Sequence, residues 1–108
     1  MSTLKIHGRR VNTAKCPVIE ASKIVGDFWN LWILRVLLDG SKRFSEIHTE
    51  IPTINKATLN NKLKVLIAEG FVNKTFDPNL KSQYALTTLG GKLRGVFLEL
   101  EKFGKENL

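Results

Sequence analysis

The 108-residue sequence contains one cysteine, Cys16. A lone cysteine excludes an intramolecular disulfide and any multi-cysteine metal site, which fits a reducing compartment. Long apolar runs are missing too. The longest stretch, residues 31–38, is interrupted by Arg35 and falls far short of the roughly 20 residues that cross a bilayer. Residues 1–15 carry Lys5, Arg9, Arg10 and Lys15 without the apolar block of a secretory signal. A cytoplasmic protein without a membrane partner is therefore expected. No glycine-rich phosphate loop, cysteine–histidine pair or readable carboxylate dyad is present, so an enzyme is not expected. His7 and His48 stand alone, without the grouped ligands a metal needs. Cofactors are accordingly expected to be none, and no small-molecule ligand is identified. Acids are scarce: ten Asp and Glu face seventeen Lys and Arg, a formal charge of +7. That excess favours a polyanionic partner, nucleic acid ahead of an anionic membrane surface.

What is present reads as one folded unit over residues 16–108 behind a flexible basic arm, residues 1–15. Pro17 suits the first position of a helix, and Val18, Ala21, Ser22 and Val25 recur on one face before Gly26. A second helix is expected over residues 29–39, with Leu31, Leu34, Leu37 and Leu38 spaced by threes and fours and Gly40 behind them. Ser45 can cap a short helix carrying Ile47 and Ile51, which Pro52 ends. Asn55 can cap the next, whose Leu59, Leu63 and Leu66 form one apolar stripe closed by Gly70. The period then drops to about two over residues 71–76 and 83–87, with Asp77, Pro78 and Asn79 as turn formers between them. Thr87 can cap a last helix in which Leu89, Leu93, Val96, Phe97, Leu100 and Phe103 share a face. That stripe is longer than a small core requires and suggests a second chain. The fold class expected is mainly α with a small β-hairpin wing, a winged helix-turn-helix.

The helix after Asn55 carries the chemistry. Opposite its leucines lie Lys56, Ala57, Thr58, Asn60, Asn61, Lys62 and Lys64, with amides, a hydroxyl and ammonium groups but no carboxylate. An ordinary solvated helix mixes signs. Turning about 100° per residue puts Asn61 nearly opposite the stripe. Asn61 can then bond an adenine edge in the major groove, Thr58 can touch a thymine methyl, and Lys56 and Lys62 can neutralise phosphates. Arg43, Ser45, Asn55, Ala57 and Lys64 complete the helix-turn-helix set, and Lys74 and Lys81 flank the hairpin turn where a wing would meet a sugar-phosphate backbone. The partner expected is double-stranded DNA. The alternative is a winged-helix module that binds protein and lacks sequence-specific DNA binding. Trp29 and Trp32, three apart in an apolar helix, are expected to pack in the core or against a second chain.

These residues resemble the HxlR-type family of bacterial and archaeal winged-helix regulators. The resemblance runs through Cys16-Pro17-Val18-Ile19-Glu20, Ile33-Leu34-Arg35, Arg43-Phe44-Ser45-Glu46-Ile47 and the leucines 59, 63 and 66. It continues through Glu69-Gly70-Phe71-Val72, Tyr84-Ala85-Leu86-Thr87 and Leu89-Gly90. It implies a transcriptional regulator acting as a homodimer, joined through its N-terminal and C-terminal helices on a partly palindromic operator. Asn61-Lys62 stands where many relatives have glutamine and arginine, and Trp32 where an aliphatic residue is usual. Some members use a cysteine near position 16 to sense oxidants or electrophiles, which makes Cys16 a candidate redox sensor. A thiol at the head of the helix opened by Pro17, beside Lys15, faces the positive end of the helix dipole. The competing role is that of a small buried hydrophobe.

Overall fold

The computed structural model describes Thr3–Ile6, Arg9–Asn12 and residues 16–108. Within the expected arm, β1 (Thr3–Ile6) and β2 (Arg9–Asn12) pair antiparallel, with Thr3 opposite Asn12 and Ile6 opposite Arg9. The period-two alternation of Thr3-Leu4-Lys5-Ile6 is the signal for this hairpin. Residues 1, 2, 7, 8 and 13–15, and with them His7 and Lys15, lie outside the described residues.

Cys16 precedes α1 (Pro17–Val25), and the Gly26 backbone closes it by donating to Ser22 O. The face shared by Val18, Ala21, Ser22 and Val25 is largely uncovered in the single chain: no residue of α1 is buried, Val18 is 60% exposed, and Ile24 and Val25 are the half-covered ones. The helix packs chiefly on α2 (Phe28–Leu37), so only its last turn finds apolar cover. Asp27 caps α2, its carboxylate accepting from Asn30 N at 3.0 Å. Ile33, Leu34, Val36 and Leu37 make α2 the centre of the core.

The start of α3 (Phe44–Glu50) also differs from expectation. Arg43, not Ser45, is the capping position, because Glu46 Oε1 reaches back to accept from Arg43 N at 2.7 Å. Ser45 lies exposed in the first turn. α4 (Lys56–Ala68) begins as expected: Asn55 Oδ1 accepts from Thr58 N at 2.7 Å, a cap of about 1 kcal/mol. Leu59, Leu63 and Leu66 are buried, each contributing about 1.5–3 kcal/mol by leaving water.

β3 (Val72–Phe76) and β4 (Ser82–Leu86) form an antiparallel hairpin, Val72 opposite Leu86 and Phe76 opposite Ser82. Lys42 adds a bridge to its edge: Lys42 N donates to Tyr84 O at 2.9 Å and Tyr84 N to Lys42 O at 2.7 Å. The hairpin is thus anchored to the strand-like lead into α3. The last helix divides into α5 (Thr88–Gly91) and α6 (Arg94–Asn107). Thr87 caps α5, accepting from Gly90 N at 3.0 Å and donating to Gly70 O at 2.6 Å. Gly90 and Gly91 weaken helical continuity there, and Gly90 is held against Phe71, whose carbonyl a Cβ would meet at 2.2 Å. Of the expected apolar stripe, Phe97 alone is buried and Leu93 half-buried.

Candidate nucleic-acid interface

α3, the turn over residues 51–55 and α4 form the helix-turn-helix. The turn is fixed from inside by Ile51 and Ile54, both buried, and from the side by His48, whose Nε2 lies 3.0 Å from Ile54 O. His48 is therefore a half-buried structural residue. With the leucine stripe inward, Lys56, Ala57, Asn61 and Lys64 are exposed and Thr58 is half-exposed. No acid occurs in α4, so its outward face carries one sign of charge. Val65, 48% exposed and four residues beyond Asn61, adds an apolar element to that face.

Three of the expected contact residues are engaged within the chain. Lys62 is not a loose cation: its Nζ lies 2.6 Å from Asp27 Oδ2, with both side chains about two-thirds covered. This hydrogen bond is the main reason the Asp27 carboxyl is held below its ordinary value of 3.8. Arg43 is turned to the hairpin, its Nη2 lying 2.6 Å from Asp77 Oδ2. Asn55 spends its side-chain oxygen on Thr58 N. Pairings across 35 and 34 positions leave no local signal in the sequence for Asp27 or Asp77 as partners.

Asp77 organises the hairpin tip. Its side chain is 9% exposed, and its Oδ1 accepts from Asn79 N at 2.9 Å and Lys81 N at 3.0 Å. The Lys81 amide, with Arg43 and Asn79 adding to it, holds this carboxyl below the ordinary range. Lys74 and Lys81 are both exposed on the hairpin. So is Leu80, at 82%.

Away from this face, Cys16 is fully buried at the head of α1. Phe28, Trp29 and Trp32 form an aromatic cluster on α2, with centroids 5.1 to 6.3 Å apart and the two indoles stacked. An open apolar groove runs from Phe28, Leu31 and Trp32 to Phe97 and Leu100 of α6. Val96, Leu100 and Phe103 are 41%, 46% and 59% exposed along α6. Among the described residues no cluster of three metal-ligating side chains occurs, and no helix is long and apolar enough to cross a membrane.

A helix-turn-helix whose second helix shows an acid-free face, followed by a lysine-bearing hairpin, is a winged helix-turn-helix of the DNA-binding regulator class. A family model described as HxlR-like helix-turn-helix matches residues 24–108. YodB, an HTH-type transcriptional regulator of Bacillus subtilis (strain 168), is 36% identical over 94 residues, 84% of this chain and 84% of that protein. The reduced form of YodB superposes with a TM-score of 0.74, covering 85% of this chain and 93% of that one. YodB has also been solved diamide-treated and quinone-bound. A structure described as a MarR-family transcriptional regulator from Porphyromonas gingivalis W83 gives a TM-score of 0.84 at 32% identity, covering 93% of this chain and all of that one. The redox regulator HypR in its oxidized form gives 0.78 at 29% identity, covering 86% and 98%. The chain belongs to the HxlR-like helix-turn-helix family. It is a DNA-binding transcriptional regulator and not an enzyme.

Proposed function

We propose that this chain works in the cytoplasm as a homodimer on a partly palindromic operator, placing α4 of each protomer in the major groove of one half-site. The observation that carries this reading is the face of α4 opposite Leu59, Leu63 and Leu66, where Lys56, Ala57, Asn61 and Lys64 are exposed without an acid. Asn61 reads a base edge, with Thr58 and Ala57 beside it in van der Waals reach of a thymine methyl. Lys56, Lys64, Lys74 and Lys81 meet phosphates. Lys62, Arg43 and Asn55 hold α4 and the hairpin in place through Asp27, Asp77 and Thr58 N. The exposed stripe of α6 and the Phe28 groove supply the apolar surface of the dimer, together with the uncovered face of α1.

The experiment is selection of bound sequences from random duplex DNA, repeated with Asn61→Ala and Lys56→Ala. Asn61→Ala is expected to lose preference at one position per half-site, a discrimination of about 1–3 kcal/mol. Lys56→Ala should weaken binding evenly across sequences and lower the salt slope by about 0.9 per subunit. A wild-type protein that enriches no motif sinks the reading in favour of a protein-binding module.

A redox role for Cys16 is the second reading, supported by its place at the head of a helix with no buried residue of its own. Cys16 is fully covered in the single chain, so reagents reach it only when its cover opens, and a helix end with no buried residue of its own opens at low cost. Any disulfide formed there joins two chains or traps a small thiol, since the sequence has no second cysteine. Operator binding by wild type should fall after diamide or quinone treatment and binding by Cys16→Ser should not; identical responses would refute the sensor.

A further inference from the structure

The hairpin tip carries a residue that breaks the conformational rule of its own turn. Leu80 N donates to Asp77 O at 2.9 Å and Asp77 N to Lys81 O at 2.9 Å, closing a three-residue loop. In such hairpins the last loop residue takes the left-handed conformation and is usually glycine. Here it is Leu80, at φ 61°, and among the described residues no other non-glycine has a positive φ. Its side chain is 82% exposed, so no packing within the chain offsets the strain. Asn79, a residue type at ease in that conformation, stands one place too early to relieve it.

The tip is also held firmly. Asp77 accepts hydrogen bonds from Asn79 N, Lys81 N and Arg43 Nη2, and so fixes the loop to the start of α3. The Leu80 backbone is therefore held in one conformation next to Lys81, and Phe76, 64% exposed, ends β3. A strained, exposed, rigidly mounted residue points to use rather than neglect. An apolar tip on a hairpin that also exposes Lys74 and Lys81 matches a target that is anionic at its rim and apolar inside. The minor groove of duplex DNA is such a target, lined by phosphates and opened by apolar side chains that unstack a base step.

We propose that Leu80 is a wedge that enters the minor groove beside the site occupied by α4, with Asp77 and Arg43 as the positioning residues that aim it. The proposal rests on the reading of α4 as the major-groove helix. It assigns part of the sequence preference to flanking steps that α4 never touches, because easily unstacked steps admit the wedge at least cost.

The test uses the full chain and a duplex selected by the wild-type protein, carrying 2-aminopurine at the steps flanking the α4 site. Leu80→Gly and Leu80→Asn both suit the backbone at this position, so both should fold with a thermal midpoint at or above that of wild type. The wedge predicts a loss of affinity of about tenfold in each variant, with the salt slope unchanged because no charge is removed. It also predicts a rise in 2-aminopurine fluorescence on binding wild type that neither variant produces. Equal affinity and equal fluorescence for wild type and Leu80→Gly overturn the wedge alone. A wild type that selects no duplex at all removes the α4 reading and the wedge with it.

Discussion

Lys62 Nζ lies 2.6 Å from Asp27 Oδ2 and so ties the middle of α4 to the turn between α1 and α2. Asp27 also caps α2, which makes one carboxylate responsible for two attachments. Asp27→Ala should therefore cost about 1–2 kcal/mol, mostly the lost cap with a smaller share from a partly exposed ion pair. Asp27→Asn keeps the cap and should cost under about 1 kcal/mol. Urea unfolding midpoints separate the two. Since the folded-state value of Asp27 lies below the ordinary 3.8, its contribution is present above that value and is lost as pH falls through the depressed one. The difference in unfolding midpoint between wild type and Asp27→Asn should therefore be constant near neutral pH and shrink in acid.

Arg43 and Asp77 form the second long-range pair, and its effect should appear in DNA binding. Arg43 has its charge matched by Asp77 at 2.6 Å, so Arg43→Ala should lower the salt slope by much less than one phosphate contact, about 0.9. Lys81→Ala, which removes an exposed cation, should lower it by close to that amount. Arg43→Ala and Asp77→Ala act on the same loop, and the double variant should bind no worse than the weaker single one. Strict additivity in titrations at two salt concentrations would show the pair to be a bystander.

How far the sequence discloses this molecule follows from the range of each interaction. The α4 stripe, the Asn55 cap, the Pro17 start and the hairpin turn are local patterns with periods of 3.6 and 2, and the structure has them within a residue or two of expectation. Ser45 fails as a cap for a local reason as well: Glu46 competes by reaching back to Arg43 N. The ion pairs of Lys62 and Arg43 cannot be read locally, because their carboxylates arrive from distant parts of the chain. A lysine on a helix looks the same in sequence whether it faces water or a remote aspartate. Leu80 was hidden differently: its identity is plain, but its left-handed backbone depends on the closed loop around Asp77.

Gly90 offers a test of the joint between the helix-turn-helix and the C-terminal helices. A Cβ built there would sit 2.2 Å from Phe71 O and 3.2 Å from a Leu86 methyl. Backbone cannot yield as a flexible side chain does, so Gly90→Ala should destabilise by about 1–3 kcal/mol, as overpacking does, despite alanine's better helix propensity. Gly91→Ala, where nothing lies within 4 Å of the added carbon, should be neutral or stabilising by up to about 1 kcal/mol. Thermal unfolding of the two variants is the comparison. A Gly90→Ala protein as stable as wild type would mean that Phe71 and the hairpin shift freely.

On α6, positions 96, 100 and 103 fall within one 60° sector of the helix at about 100° per residue, beside the buried Phe97. Val96, Leu100 and Phe103 remain 41%, 46% and 59% exposed there, and the groove to Phe28 and Trp32 extends the same apolar surface. Such surface on a small domain is costly in water unless it is covered. If a second copy covers it, Leu100→Glu with Phe103→Glu should halve the mass measured by sedimentation, because a charge is then forced into an apolar contact. The same change should leave each protomer folded, since neither side chain contributes to the buried core. Binding then divides by site: affinity for a palindrome should collapse toward that for one half-site, and affinity for an isolated half-site should stay where it was. A variant that remains dimeric places the interface elsewhere, and one that unfolds shows this face to be packed within the chain.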